Sequence, residues 1–584
     1  LGDLLSSSTT ATNFFQSGGH GTASGIQLRG FPKRYSTVYI DGVKMSDPSS
    51  VSGDFDFNNI LTSHLSRVEI LKGNQSSVYG SGAIGGTINI ITKKGEPGLQ
   101  KNFNYVTGSN KTHDLSVSLS GADEKNNFYL GLQRFQTDGI SQMRHNNEKD
   151  RYRNNSIVAN YGYAFNEKFE INNNLRVSET YLQYDAVSAI SGYDNSEEAD
   201  GVEGSYSLNF ILKPIENFTN KLTLANTYIK RIYADAPNSK NTVKDNYYGE
   251  RYSIMYSGNY NFNLDNSIVF GFEREDDEMG YNSNATGTKY EHSYVESTYF
   301  DFQKRFSKNI YGTLGTRFDE HSVAGNEESH RVTLAYLFND KSTKLKASYG
   351  TGFRFPSLYE MYYVYAANAQ SLPYVKAEKS RSYDFGIEKN FSKLSLDIEA
   401  NYFNLKYKDP LEGWATGTAS GNAYTTQNQP ATVKSQGLEL ISKWHLNNLL
   451  NFDFNYTYTS TYDGAEQDDP DNSSSQYNAQ MARVPRHILN LNTNFKIPNY
   501  EKLNFTLNTK WSDEARDYGN GNSGSYDDVR LDDYIVCDLF IKYNLLNEYN
   551  LFFNITNLFD EGYETAKDYQ QMSRSFNFGL KRNF

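Results

Sequence analysis

The sequence predicts an all-β transmembrane barrel of about 22 antiparallel strands, closed around an N-terminal domain of the same chain. Three observations carry that prediction. The chain is polar on average yet very rich in Tyr and Phe. Most of it alternates with a period of two, with charged groups on the polar face. Its last strand, "SRSFNFGLKRNF", puts Phe576, Phe578, Leu580 and Phe584 on one face, interrupted only by Arg582.

Composition narrows the class first. Of 584 residues, 37% are hydrophobic and 15% are aromatic, with 47 Tyr and 36 Phe. A soluble core is built mainly from Leu, Val, Ile and Ala, whereas Tyr favours sites with one wet and one oily end. No run of 18 apolar residues exists, so no transmembrane helix is predicted. Strands that alternate oily and polar residues hide their hydrophobicity from such averages. A large soluble all-β protein is the competing reading. A net charge of −12 argues against nucleic-acid binding, which needs a basic footprint. The single cysteine, Cys537, excludes an intramolecular disulfide and a thiolate metal cluster. The nine histidines form no close metal-type pair. No nucleophile–base set is discernible, so no enzyme is predicted.

Residues 1–95 differ in kind from the rest. Short β-branched runs are separated by Gly-rich turns, as in "STVYIDGVKM" and "SRVEILKGNQSSVYGSGAIGGTINIITKKG". That is the pattern of a small mixed domain. "GSGAIGG" is no phosphate loop: no Lys-Ser/Thr follows, and it leads straight into the strand "TINIIT".

Residues 96–584 are strands. In "NFDFNYTYTSTY", Phe452, Phe454, Tyr456 and Tyr458 point one way and Asn451, Asp453, Asn455 and Thr457 the other. "KLSLDIEANY" and "KLNFTLNTKW" repeat the pattern. Period two puts these sets on opposite faces of a sheet. Charged groups on one face call for water there, which a barrel lumen supplies while lipid meets the other face. At roughly 22 residues per strand and connection, this region holds about 22 strands. Short turns such as "NFSKLS" alternate with long polar inserts, predicted as loops at 186–204, 273–293, 463–480 and 513–530.

Residues 26–95 resemble the plug of TonB-dependent outer-membrane transporters. The shared segments are "LRG" (Leu28–Gly30), "VYIDGV" (Val38–Val43), "RVEILKG" (Arg67–Gly73) and "SSVYGSGAIGGTINIIT" (Ser76–Thr92). Further on, "GFRFPSLYEMY", "KAEKSRSYDFGIE", "NITNLFD" and the aromatic end are similar to the barrels of the same family. The resemblance implies an outer-membrane monomer, in contact with lipid and lipopolysaccharide, that imports a scarce bulky solute. It also implies energy from TonB, pulling an N-terminal segment not recognised in this chain. Two plug arginines, matched by Arg29 and Arg67, are implied to pair with two barrel acids, matched by Glu378 and Asp384.

Within that family, "SVSGDFDFNNI" is similar to an apical plug loop of the cobalamin transporters. This implies substrate contacts at Ser50, Val51 and Ser52, with Ser24 on the neighbouring apex. Those relatives order two extracellular loops around Ca²⁺. The matching residues are Asp185, Asp194, Glu198 and Asp200 on one loop and Tyr233, Asp235 and Asp245 on the other. Hard oxygen ligands in irregular loops suit Ca²⁺, though acidic loops are commonly only solvated. A corrinoid is the first substrate expected, a ferric siderophore the second, and a passive porin or adhesin the reading from another class.

Overall fold

In the computed structural model the described residues are 1–144, 148–185, 196–234, 244–283, 287–362, 375–416, 423–464, 480–519, 527–546 and 548–584. Twenty-two antiparallel strands close a barrel that begins with Gly98–Gly108 and ends with Ser575–Asn583. The last strand pairs with the first, from Asn577 opposite Gly108 to Asn583 opposite Asn102. The Phe584 amide donates to the Lys101 carbonyl at 2.8 Å. Every wall strand therefore has two neighbours, and no backbone edge faces lipid. No helix among the described residues is long and apolar enough to cross a membrane.

The two faces follow the alternation. On the strand Leu450–Asp463, Asn455, Thr457 and Thr459 are buried inward, while Tyr458 stands exposed on the outer wall. The inner face is less wet than the charge pattern implied. Asn455 is 6% exposed, and its amide donates to the Ser8 carbonyl at 3.2 Å, because the N-terminal domain fills the lumen.

Two predicted loops are partly wall. Strands Asn266–Ser283 and Gly287–Arg305 run through 273–293, and Ser196–Ile215 takes up 196–204. The charges there decorate strands that outrun the membrane. Arg274 bonds Asp276 along its own strand at 2.9 Å and Glu296 on the next at 2.6 Å. The last insert, 513–530, carries an extra hairpin, Ala515–Gly519 with Asp527–Leu531, while residues 465–479 of the insert before it lie outside the described residues.

The plug is built on a four-stranded mixed sheet, in the order Val43–Lys44, Ser36–Ile40, Gly86–Thr92 and Leu65–Lys72. Ser36–Ile40 and Gly86–Thr92 are parallel, and the outer pairs are antiparallel. Its core gathers Ile26, Leu28, Val38, Ile40, Met45, Phe55, Ile88 and Ile90, all at most 3% exposed. A second cluster, with Phe31, Tyr35 and Ile84 against Phe403, Leu405 and Tyr407, fastens the plug to the wall. Before the sheet, Thr12–Gln16 pairs antiparallel with Ser24–Leu28.

Candidate functional site at the outer mouth

Two plug apices, 21–24 and 47–56, rise toward the rim that carries the long connections. The second apex turns at Val51–Gly53. Gly53 has φ +63, a left-handed conformation that costs a side-chain-bearing residue about 1 kcal/mol. That turn throws Val51 out to 61% exposure. The wall holds the apex from behind: Ser357 Oγ donates to the Val51 carbonyl at 2.8 Å, and Arg354 donates to the Ser52 carbonyl at 3.2 Å.

Two adjoining cavities of about 280 and 400 Å³ lie between these apices and the strands Phe169–Asp185, Ser196–Ile215, Phe218–Ala234 and Lys244–Asn263. They share Tyr184, Arg231 and Tyr233. Ser50 lines the first, beside Tyr152, and Val51 lines the second, beside Tyr247 and Tyr359. Ser24 does not reach either cavity. It is fully buried, and its amide and hydroxyl both donate to Asp56 Oδ1 at 2.8 Å. Ser52 Oγ makes only a 3.4 Å contact with Asp54, so Ser24 and Ser52 shape the apices while Ser50 and Val51 face the space.

The cavity charges are mostly paired. Lys33 sits 3.3 Å from Asp54. Burial works against its charge, but Asp56 and Asp54 outweigh that and hold its pKa above the ordinary value. Burial raises the Asp56 pKa, with Lys33 opposing it. Arg231 bonds Asp47 at 3.0 Å and Ser49 Oγ at 3.1 Å, tying apex to wall.

Below the mouth the plug is locked by charge, through only part of the set the resemblance implied: Arg29 meets Asp384 as implied, but Glu439 joins it while Arg67 and Glu378 do not pair across the seam. Arg29 bonds both Asp384 and Glu439, the latter at 3.0 Å, and its guanidinium lies 4.6 Å from the Phe403 ring. Lys72 adds a 3.5 Å contact to Glu439. Arg67 takes no part. Its side chain is 60% exposed on the plug's edge strand and bonds Glu69, two residues along, at 2.6 Å. Glu378 is wholly buried, but its cation is Arg354 of the wall; Tyr35 donates to it from the plug at 2.7 Å. Motif matching could not find Glu439, because an acid in "GLELISKW" shows its lumen parity but not its partner.

The acidic residues matched to a calcium site divide between two faces. Tyr233 pairs with Ala199 and Asp245, and Tyr184 with Glu197, on the lumen face. Asp200 pairs with Tyr181 and Ile232, Glu198 with Gln183, and Asp185 with Ser196, on the opposite face. Strand alternation separates the two sets. Asp194 and Asp235 lie outside the described residues. Instead, Asp185 turns toward the connection after Asn126–Thr137. One carboxylate oxygen each from Glu148, Asp150 and Asp185 lie within 4.8 Å of one another. Asp185 is 3% exposed; its Oδ2 accepts from the Met143 amide at 3.1 Å, while its Oδ1 has no hydrogen-bond partner. Among the described residues, no other three carboxylate, imidazole or thiol groups converge in this way.

Residues 8–558 match the family model described as TonB dependent receptor-like, beta-barrel. The chain belongs to the TonB-dependent receptors. It is thus an outer-membrane transporter and not an enzyme, and its family works with TonB to take up bulky solutes. Curated relatives include the vitamin B12 transporter BtuB of Vibrio cholerae, 22% identical over 98% of this chain and 88% of the relative. BtuB of Photobacterium profundum is 25% identical over 96% of this chain and 86% of the relative. Among solved structures, a variant of the ferric enterobactin receptor PfeA of Pseudomonas aeruginosa superposes with a TM-score of 0.83 at 17% identity. That match covers 100% of this chain and 96% of the receptor. The siderophore receptor PirA of Acinetobacter baumannii gives 0.81, also at 17%, over 99% and 96%. At such identities these receptors share the fold alone.

Proposed function

We propose that this TonB-dependent receptor imports a corrinoid. The observation that carries the reading is the mouth, where the Val51–Gly53 apex stands beneath a ring of tyrosines and an excess of carboxylates. Asp47, Asp54, Asp56, Glu197, Glu203 and Asp245 line the cavities against Lys33, Lys230 and Arg231. Tyrosine offers flat area with a hydrogen-bonding tip, which suits a broad macrocycle rimmed with amides. Excess negative charge disfavours a ferric siderophore that is itself anionic. The BtuB relatives, similar along nearly the whole chain, support the same substrate.

Transport follows from the pairing order in the plug. A pull from the N-terminal side first separates Thr12 from Leu28, beside Arg29, and last separates Gln16 from Ser24. The strand Ser24–Leu28 thus links the charge lock to the apex under the substrate, so unzipping it loosens the binding floor.

Calcium belongs to this proposal at a different place from the one the resemblance implied. Three carboxylates with an orphaned, buried oxygen form a hard, anionic donor set of the kind Ca²⁺ takes, with water completing six to eight ligands. Glu148, Asp150 and Asp185 would hold the ion and pin the 138–151 connection onto the strand Phe169–Asp185. Gln142 from that connection lines the substrate cavity, so ordering it in advance lowers the cost of capture.

The test is titration of purified receptor with cyanocobalamin and a panel of ferric siderophores, with calcium and with chelator. Calcium should tighten cyanocobalamin binding by roughly 5- to 150-fold, and Asp185→Asn should abolish that dependence. Binding of a ferric siderophore but no corrinoid overturns the substrate. Corrinoid binding that ignores calcium overturns the ion alone.

A further inference from the structure

One side of the outer mouth is covered by connections that the binding cavities barely use. Above the plug hairpin, Thr12–Gln16 with Ser24–Leu28, lie four stretches of the long-connection rim. They are 138–144, 480–486, the hairpin Ala515–Gly519 with Asp527–Leu531, and 557–574. Thr565 Oγ1 donates to the Gln16 carbonyl and accepts from the Gln16 amide, both at 3.0 Å, and Gln571 Nε2 donates to the same carbonyl at 2.9 Å. The side-chain amides of Asn13 and Gln27 donate to the Arg483 and Ala482 carbonyls at 2.6 and 3.2 Å.

The same stretches are bonded to one another. Gln570 donates through its backbone amide to the Gln142 carbonyl at 3.2 Å and through its side chain to the Ser141 carbonyl at 2.7 Å. The Arg144 amide donates to the Asp568 carbonyl at 3.0 Å, and the Arg144 side chain pairs with Glu564 at 3.1 Å. Asp517 joins the remaining pieces. Its side chain is wholly buried, Arg483 Nε lies 2.9 and 3.0 Å from its two oxygens, and the Lys567 amide donates to Oδ2 at 2.7 Å. Asn557 closes 557–574 on itself: its Nδ2 donates to the Glu561 and Met572 carbonyls at 2.8 and 3.2 Å. Its backbone amide donates to Asp538 of the wall at 2.8 Å. Charge-assisted bonds to a buried carboxylate are the strong kind, and a loop packed by its own side chains keeps its shape unaided. These stretches form a roof held by the wall and by itself, with the plug hairpin bonded to its underside.

We propose that this roof stays shut when the hairpin beneath it is drawn inward, so that the passage opens toward the periplasm alone, with Asp517 positioning the pieces. The inference rests on the transport step proposed above, in which the hairpin unzips. Gln142, at the roof's edge, lines the first cavity, and among the described residues the rest of the roof lines neither cavity. A solute held there stands beside the roof, next to the space that the hairpin vacates, and the roof blocks its way back out.

The test is amide hydrogen exchange read by mass spectrometry on the full receptor in detergent. Arg29→Ala loosens the plug from below. Exchange should rise about tenfold or more across 12–28, while 138–144, 480–486 and 564–571 stay within about twofold of wild type. Asp517→Asn should raise exchange at 480–486 and 564–571 about tenfold or more, because the charge-assisted bonds are lost. In cells of a Gram-negative host, vancomycin should be excluded by either single variant and admitted by Arg29→Ala/Asp517→Asn. Heat-modifiable gel migration reports folding, and Gln570→Ala, read at 138–144, replaces Asp517→Asn throughout if the latter fails it. None of these measurements uses a transported solute, so their failure is distinct from failure of the corrinoid assignment. Roof exchange that rises with the hairpin's in Arg29→Ala overturns the proposal, because the roof then hangs from the plug. So does unchanged roof exchange in a folded Asp517→Asn or Gln570→Ala receptor. Admission of vancomycin by Arg29→Ala alone, or its exclusion by the combined variant, overturns it as well.

Discussion

Arg29→Ala should release the plug while leaving the barrel closed. In the wild type the Arg29 side chain is 6% exposed, and its two acceptors, Glu439 and Asp384, are 3% and 21% exposed. Removing one partner of a buried pair costs about 3–5 kcal/mol, mostly by stranding the remaining charge. Two features reduce that figure here. Lys72 stays 3.5 Å from Glu439, and Ser348 still donates to Asp384 at 3.0 Å. One feature adds to it: the Phe403 ring loses a cation, worth roughly 0.5–2 kcal/mol. The net loss should be about 3 kcal/mol of plug–barrel stability. Calorimetry of the receptor in detergent, scored for a plug transition below that of the barrel, reads it directly. Arg67→Ala is the internal control, because an exposed pair is worth about 0–1 kcal/mol. A double-mutant cycle with Glu439→Gln isolates the pair term. Equal plug transitions in Arg29→Ala and Arg67→Ala would refute the assignment of the lock.

His64 gives the seam a pH dependence. Burial holds its pKa down at about 4, and its Nδ1 lies 2.8 Å from the Tyr129 hydroxyl of the wall. A folded-state value below the unfolded 6.5 or so means stability is full above that pH and is lost on acidification toward 4, by roughly 3 kcal/mol. Plug melting compared at pH 7.5 and 4.5 should show that loss, and His64→Gln should flatten it. Phe454→Arg puts a charge on the lipid face at about 2–4 kcal/mol and should impair folding into bilayers; efficient folding would mean the strand's faces are reversed. Asn455→Arg is not the tolerated lumen change that alternation alone suggests, since Asn455 is buried and bonds Ser8, so it should displace the plug and lower its melting temperature. Gly53→Ala meets only ordinary contact, 3.6 Å from Ser357 Cβ, but must hold φ +63. About 1 kcal/mol of strain should weaken solute binding some fivefold in a titration without moving the barrel transition.

What sequence could supply, and where it stopped, follows from the range of the physics involved. Alternation is local. "NFDFNYTYTSTY" alone separates Phe454 from Asn455, and repetition of that pattern leads to a closed barrel because lipid tolerates no open edge. Strand length is less local. The charges of 273–293 read as loop because polar residues outside the membrane look alike in strand and in loop, until Arg274 is seen bonding Glu296 across the sheet. Charge partners are not local at all. Arg29 lies 410 residues from Glu439, and only closure of the wall around the plug brings them to 3.0 Å. The calcium residues mark the boundary most clearly. The resemblance grouped Asp185, Asp194, Glu198, Asp200, Tyr233, Asp235 and Asp245 as one site across two loops, but a single residue's shift in register changes the face on which a side chain stands. Parity sends Asp200 away from Tyr233 and Asp245, and it leaves Asp185 to meet Glu148 and Asp150 from a connection the resemblance never associated with it. A motif carried over from a relative fixes residue types and order, whereas a metal site depends on which face each carboxylate occupies.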